Sequence, residues 1–327
     1  MPGVQGPDAL EHALLAALAD GEWHSGADLA QALGRSRAAL AKRIAGLNDA
    51  DIGLRIASRH GLGYRIAGGL DLLEDAHGQP QAALRGLPGL RLLRVCDSSS
   101  TRLQAEPEAR VCLAEYQTAG RGRRGRRWQA GYAQNLLLSL RHRYPSWPTD
   151  LPALSPLIGL AVARSLAADG IPARVKWPND IWLEGRKLGG VLVETRGEAQ
   201  SGCELIVGLG LNVHMQSATV DQPWHSLALA GLARPRAALA SRLIAALEQA
   251  LEDFPRRPLA EQLAAYAPFD ALQGQDLAIE DAGARIEGAY RGLSARAGLR
   301  LQTATGEREF VVGEVSVRPG PGASGGS

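Results

Sequence analysis

Residues Gly120-Arg-Gly-Arg-Arg-Gly-Arg-Arg-Trp128 place five arginines and three glycines in a stretch of nine. Arginine keeps its proton at physiological pH and presents a planar fork of donors, and glycine lets the backbone approach a ligand closely. Such a run cannot enter a hydrophobic core, so the chain must either leave it disordered or hold it on a scaffold. Its flanks decide between the two. Val111-Cys-Leu-Ala-Glu-Tyr-Gln117 and Asn135-Leu-Leu-Leu-Ser-Leu140 are apolar runs of strand length, which predicts a basic loop between two core strands rather than a tail that binds nucleic acid by charge alone.

The charge is local. Thirty-six basic residues stand against 34 acidic ones, a formal net charge of +2, so any anion must be recognised by a patch and not by the field of the whole chain. With 327 residues, 45% of them apolar, the chain has material for two or three domains. Cys96, Cys112 and Cys203 form no C-x-x-C pair and no zinc-ligand spacing, which predicts a reduced, cytoplasmic protein. Met1 to Asp8 lacks a secretory pattern, and no apolar stretch approaches the ~20 residues that cross a bilayer, so no membrane association is expected.

Leu10, Leu14, Leu15 and Leu18 share one helical face, and Gly21 follows where a helix end is expected. A second helix begins near Ser25. After Gly34-Arg-Ser36, a third carries Leu40, Ile44 and Leu47 with Ser36 at its cap. Two short runs, Leu54 to His60 and Tyr64 to Ile66, meet at Gly61-Leu-Gly63 as a hairpin. Together these read as a winged helix-turn-helix, with Arg35, Arg37, Lys42 and Arg43 as candidate DNA contacts; a protein-contact module is the alternative. Gly68, Gly69 and Gly78-Gln-Pro80 mark a connector.

Beyond it, strands expected at 90–95, 113–116, 135–140, 173–176, 188–194 and 205–211 alternate with helices at 156–168, 236–251 and 259–266, a mixed α/β pattern. From Leu272 onward, short runs at 276–279, 284–290, 298–302 and 309–312 read as a small antiparallel barrel or sandwich. Residues 320–327 read as disordered.

Three further segments are candidates to line a site with the basic loop. Lys176-Trp-Pro-Asn-Asp180 ends a strand in a lysine and follows it with an amide and a carboxylate, where Asp180 is a candidate Mg²⁺ ligand. Lys187-Leu-Gly-Gly-Val-Leu-Val-Glu194 opens a strand with two glycines, and Gly208-Leu-Gly-Leu-Asn-Val213 is a strand able to admit a planar ring beside Asn212. Neither G-x-G-x-x-G nor G-x-x-x-x-G-K-[ST] occurs, so these are not the dinucleotide or P-loop signatures.

These four segments in this order, with Asp97-Ser-Ser-Ser100 and Glu115-Tyr-Gln117 upstream, resemble the biotin protein ligases. With Gly21-Glu-Trp-His-Ser-Gly26 and Ser36-Arg-Ala-Ala-Leu-Ala-Lys42 in front, the chain is similar to the bifunctional bacterial biotin ligases and biotin operon repressors, and only the tail after Pro319 falls outside the likeness. The resemblance implies an α/β (α+β) multidomain fold: a winged helix-turn-helix over 1–67, a linker over 68–84, a class II synthetase-like ligase domain over 85–268 and an SH3-like β-barrel over 269–319.

It also implies roles. Ser98, Ser99 and Gln117 would bond the biotin ureido ring with Arg121 and Arg123; Ser100 stands where the family frequently has asparagine. Gly120, Arg121, Gly122 and Arg123 would close over the ligand, Arg124 and Arg126 would favour the phosphates, and Trp128 would pack near the adenine. Lys176 would contact the reacting carboxylate and phosphoryl oxygens, Asn179 and Lys187 would serve the nucleotide, Gly189 and Gly190 would floor the biotin pocket, and Asn212 would meet the purine.

The implied reaction joins biotin to Mg-ATP as biotinoyl-5′-AMP and passes the acyl group to a lysine of the biotin carboxyl carrier protein of acetyl-CoA carboxylase. The implied partners also include operator DNA and a homodimer promoted by the adenylate. Two alternatives remain open at this level: a ligase whose winged helix no longer regulates, and a winged-helix regulator that senses a small molecule without ligase activity.

Overall fold

The computed structural model describes residues 6–50, 52–75, 77–197, 202–281, 284–311 and 316–319. The tail 320–327, expected to be disordered, lies outside the described residues. The chain begins with α1 (Ala9–Ala17), α2 (Gly26–Ala32), α3 (Arg37–Asp49), β1 (Ile56–Arg59), β2 (Gly63–Ile66), β3 (Leu90–Cys96), α4 (Ser99–Ala105), β4 (Val111–Gln117) and β5 (Asn135–Tyr144). Then come α5 (Leu154–Ala168), β6 (Arg174–Lys176), β7 (Asp180–Leu183), β8 (Arg186–Arg196), β9 (Cys203–Asn212), α6 (Arg236–Asp253) and α7 (Leu259–Tyr266). Five strands end the chain: β10 (Asp276–Asp281), β11 (Ala284–Leu293), β12 (Leu299–Thr303), β13 (Gly306–Phe310) and β14 (Ser316–Pro319).

The patterned helices and strands form, and α4, β7 and β14 are added to them. β13 starts earlier than expected because Thr303 pairs with Gly306 across a tight turn. Strands β3 to β9 belong to a large mixed sheet, and β10 to β14 form a separate antiparallel one. The chain divides into two compact units, residues 1–141 with 206–242 and residues 142–205 with 243–327.

In the first unit, α1 starts in a reciprocal capping box: Glu11 N donates to Asp8 Oδ1 at 2.9 Å and Asp8 N to Glu11 Oε2 at 2.9 Å. Ser25 and Ser36 cap α2 and α3. Leu14, Leu15, Leu40, Ile44, Leu47, Ile56 and Ile66 pack as one core, which Tyr116 on β4 and Tyr132 just before β5 also enter. β3 and β4 are parallel, and β4 and β5 antiparallel, so the basic run joins two hydrogen-bonded neighbours as its flanks predicted.

The connector is packed rather than free, with Leu73 and Leu84 fully buried. Leu73 N donates to Glu115 Oε1 at 2.6 Å. Glu115 Oε2 accepts from Arg236, and both side chains are all but inaccessible. Arg236 also donates to Asn135 O at 2.9 Å and to Asp71 O at 2.8 Å. The three guanidinium nitrogens of Arg236 and both Glu115 carboxylate oxygens therefore meet partners, which is the condition for burying charge. Burial tends to raise the Asp71 carboxyl, but hydrogen bonds from His214 and from Arg236 N outweigh it and hold it below its ordinary value.

In the second unit, α5 packs on β6, β7 and β8, which form an antiparallel meander. The 18-residue window Leu151–Ala168 is apolar enough by composition to cross a membrane, against the expectation that no stretch came close. Buried residues make up 56% of it, as suits a core helix. The terminal sheet runs β13-β12-β11-β10-β14. Its core of Leu277, Ile279, Tyr290, Leu299, Leu301 and Phe310 includes Trp177, the residue after β6. Trp177 Nε1 donates to Ala297 O at 3.0 Å, and the Trp177–Pro178 peptide is cis.

Replacing Arg236 by methionine leaves the Glu115 carboxylate buried without its counter-charge. Loss of one partner of such a pair costs about 3–5 kcal/mol. Urea unfolding of Arg236→Met is expected to show a loss of that size; a loss below about 1 kcal/mol would show the pair to be dispensable.

Candidate functional site

The first unit gathers the serines, Gln117 and the start of the basic loop. β3 ends at Cys96, and α4 begins at Ser99 beside the end of β4, where Gln117 lies. Ser99 N donates to Gln117 Oε1 at 2.6 Å, and Ser99 Oγ lies 2.7 Å from Ser139 Oγ on β5. Ser98 Oγ is 3.0 Å from Ser100 Oγ, and Arg121 Nη2 donates to Ser100 Oγ at 2.8 Å. Ser98, Ser99 and Ser100 are each only 4% exposed. Hydroxyls can donate or accept, so this cluster offers both kinds of partner, next to a cation, to a small polar ring.

The basic run is a hairpin. Trp128 N donates to Gly120 O at 2.9 Å, Gly122 N to Arg126 O at 2.7 Å, and Arg121 bridges Arg127 across the two arms. Arg124 and Gly125 form its tip with positive φ values of 56° and 71°. Arg121, Arg124 and Arg126 are exposed and Arg123 is half-buried, so the arms carry a cluster of cations at the surface.

At the base of the hairpin, Trp128 packs with Cys96, Ala114 and Leu137. Its indole lies against Gly210 of β9 so closely that a Cβ there would stand 2.5 Å from Trp128 Cε2. Asn212, two residues on and on the same face of β9, is 4% exposed. Asn135 Nδ2 donates to its Oδ1 at 2.8 Å, and its Nδ2 donates to His225 O at 2.9 Å. These bonds fix the amide and leave it one further N–H and one lone pair.

The second unit gathers Lys176, Asp180, Lys187 and Gly190 on one face of the β6–β7–β8 meander, with Gly189 on the other. Lys176 pairs with Asp180, Asp180 with Gly190, and Trp182 with both Arg174 and Lys187. Lys187 Nζ lies 2.8 Å from Asp180 Oδ1. A Cβ on Gly190 would stand 3.5 Å from Asp180 Oδ1 and 3.6 Å from Lys187 Cε, so this glycine borders the ion pair. The Lys176 ammonium lies 4.6 Å from the centre of the Trp182 ring. Asn179 Nδ2 donates to Val191 O at 2.8 Å, which ties the turn after Pro178 to β8. Gly189, opposite Ile181, is buried.

Among the candidate DNA contacts, Arg35, Arg37 and Lys42 are exposed. Arg43 instead turns to α1, pairing with Asp8 and, at 3.1 Å, with Glu11. Trp23 stacks under Arg65 of the small hairpin at 4.7 Å. The three cysteines are buried. Desolvation pushes the Cys96 thiol up to about 12 and raises Cys112 and Cys203 as well, so none supplies a thiolate at neutral pH.

The sequence reading missed Asn135, Ser139 and Trp182, while Gly210 lies in the strand whose glycines it took to admit a planar ring. Asn135 and Ser139 carried a usable signal, since each interrupts an apolar run of strand length and a buried polar group needs a partner. Trp182 carried none, because its importance lies in which side chain the fold brings against it.

Residues 92–212 match the Biotin/lipoate A/B protein ligase family. The chain is 36% identical over 317 residues, 93% of its own length and 96% of the relative's, to the bifunctional ligase/repressor BirA of Escherichia coli strain K12. It is 39% identical over 150 residues to the biotin–[acetyl-CoA-carboxylase] ligase of Mycobacterium tuberculosis, covering 44% of this chain and 54% of that one. Among solved structures, it is similar to the biotin protein ligase of Aquifex aeolicus in complex with biotin and ATP, with a TM-score of 0.63 and 25% identity over 72% of this chain and 100% of that one.

Valine at position 210 would collide with the Trp128 ring. Gly210→Val is expected to displace the indole, with a changed near-ultraviolet circular dichroism band and a lower melting temperature. An unaltered band would show that Trp128 does not rest on this strand.

Proposed function

The chain belongs to the biotin protein ligases, and on that premise we propose that it activates biotin with ATP and transfers the acyl group to a carrier lysine. A biotin carboxylate oxygen attacks the α-phosphorus of ATP; the bond to the β-phosphate breaks, and pyrophosphate leaves from biotinoyl-5′-AMP. The amine of the carrier lysine then attacks the acyl carbon, AMP departs with the bonding electrons, and the amine loses a proton. The observation that carries this reading is the cluster of buried Ser98, Ser99 and Ser100 with half-buried Gln117 under Arg121, at the foot of a hairpin of cations.

In this reading Ser98, Ser99, Ser100 and Gln117 hold the ureido ring, with Gly189 and Gly190 beside it. Gly120, Arg121, Gly122 and Arg123 retain the ligand, while Arg124, Arg126, Asn179 and Lys187 serve the phosphates. Trp128 and Asn212 flank the purine, with Asn135 fixing the amide. A carboxylate approaching a triphosphate is a meeting of anions, so the arginines and Lys176 are needed to stabilise charge in the transition state. The high thiol values leave no cysteine to compete as a covalent intermediate.

Magnesium, when bound, neutralises charge between the phosphates. Such ions are commonly held by one or two carboxylates together with substrate phosphates. Asp180, beside Lys187, is the carboxylate proposed to hold that ion together with the triphosphate.

The first 67 residues are proposed to be a winged helix that binds operator DNA through Arg35, Arg37 and Lys42, with Arg43 joining if it exchanges Asp8 and Glu11 for phosphate. Paired half-sites require two such modules, so a homodimer promoted by biotinoyl-5′-AMP is part of the proposal. Residues 85–268 are proposed as the ligase domain, after the 68–84 linker, and 269–319 as an SH3-like barrel. A cytoplasmic location fits a substrate pool of ATP and unmodified carrier protein.

Incubation with biotin, Mg-ATP and a biotin carboxyl carrier domain should add the mass of one biotinyl group to the carrier; an unchanged mass would refute ligase activity. Arg123→Gly is expected to release biotinoyl-5′-AMP into solution faster than the unaltered protein, measured as loss of radiolabelled adenylate on gel filtration. Gel-shift affinity for the operator should rise when the adenylate is added, and equal affinity with and without it would leave a ligase that does not regulate.

A further inference from the structure

Ser139 stands in the interior of β5, between Leu136-Leu-Leu138 and Leu140, and is 1% exposed. Among the described residues its hydroxyl meets one partner, Ser99 Oγ at 2.7 Å. A hydroxyl in an apolar run is unfavourable unless it is bonded, and alanine would fill the position without that demand. Nor is Ser139 needed to hold α4 in place. Arg141, two residues further along the same face of β5, does so by donating to Glu106 O at 2.7 Å, to Ala109 O at 2.6 Å and to Leu103 O around the C-terminal end of α4.

The bond does set a direction. A serine hydroxyl has one proton to give and two lone pairs to receive with. If Ser99 gave its proton to Ser139, the Ser139 proton would be left in the interior with no acceptor, which is unfavourable. Ser139 therefore donates and Ser99 Oγ accepts, so the Ser99 proton is left for a ligand. Two other bonds of the cluster are fixed by groups that can only donate. Ser99 N gives its proton to Gln117 Oε1, which turns the N–H groups of that amide away from Ser99. Arg121 donates to Ser100 Oγ, and Ser98 and Ser100 share one proton between their oxygens, leaving one over. Ser99, one of the pair Ser98 and Ser100, and Gln117 thus each keep a donor. Such a set suits a ligand oxygen that accepts, as the carbonyl of a urea does, better than a group bearing N–H in its place.

We propose that Ser139 is a positioning residue for recognition of the biotin ring: by donating to Ser99 it makes Ser99 a donor toward the ureido carbonyl oxygen. The proposal rests on the placing of that ring against Ser98, Ser99 and Gln117 given above. It differs from a need for β5 to pack, because it concerns the direction of one proton and not the space the side chain fills.

The test uses the full chain, read by biotin-dependent exchange of pyrophosphate into ATP and by thermal melting. Ser139→Ala should raise the KM for biotin about 3- to 10-fold while the KM for ATP stays within about twofold, and Ser139→Cys, a weaker donor of similar size, should fall between. 2-Iminobiotin, which carries nitrogen where biotin has its carbonyl oxygen, serves as a competing ligand; the ratio of its inhibition constant to the biotin KM should fall in Ser139→Ala. An unchanged biotin KM, an equal rise in both KM values or an unchanged ratio would overturn the role of Ser139. Ser99→Ala separates that failure from a failure of the premise. If Ser99→Ala leaves the biotin KM unaltered, Ser99 does not touch the ring and the proposal falls with that reading; if Ser99→Ala is impaired but Ser139→Ala is not, Ser139 alone is removed. The double variant should be no worse than Ser99→Ala, and additive losses would show that Ser139 does not act through Ser99.

Discussion

The buried pair of Glu115 and Arg236 is the constraint on which the first unit turns. Glu115 sits on β4, two residues before Gln117, and its carboxylate also accepts from Leu73 N. Arg236, at the start of α6, reaches Asn135 O and Asp71 O as well. One pair therefore fixes the connector, the strand before the basic hairpin, the strand after it and the helix that follows β9. Asn135 then passes the constraint to Asn212 through their side chains. Taking the two charges out of water is unfavourable, and their mutual attraction and the surrounding hydrogen bonds offset much of that. What the arrangement secures is register, because none of these groups can move without orphaning another.

The hairpin is anchored at both ends. Gly120 and Trp128 close it with a backbone hydrogen bond, and the segment beyond Trp128 runs against the N-terminal helices. Tyr132 N donates to Ile52 O at 2.7 Å, and the Tyr132 hydroxyl meets His12 of α1. The cations are thus held on a short loop whose far end is packed into a second module. A free basic tail would have had neither constraint, and its arginines would have averaged over many positions.

Much of this was legible in the residues. The period of the leucines in α1 and α3, the serine caps and the alternation of the middle segment placed most elements within a few positions. The basic loop was located by its flanks, and the polar cluster of Ser98, Ser99 and Gln117 came together as the family likeness implied. What could not be read was pairing. Nothing in the string sets Arg43 against Asp8 and Glu11 rather than toward a ligand, because those partners are 35 and 32 residues away in sequence. β7 was hidden because four residues between two turns carry too little periodicity to stand out. Trp182 was hidden with it, and so was the pairing of Asp180 with Lys187. The window at 151–168 was underestimated for the opposite reason: a helix packed against several strands needs apolar residues on most of its surface.

The bond from Leu73 N to Glu115 has a bearing on modularity. By sequence, residues 68–84 look like a place where one module could be exchanged for another. By contacts, Asp71 and Leu73 already belong to the ligase core, since they complete the partners of Arg236 and Glu115. The seam at which an engineer can graft a different N-terminal module therefore lies ahead of Asp71, and a hybrid joined a few residues later would have to present anew the carbonyl that Arg236 bonds and the N–H that Glu115 accepts.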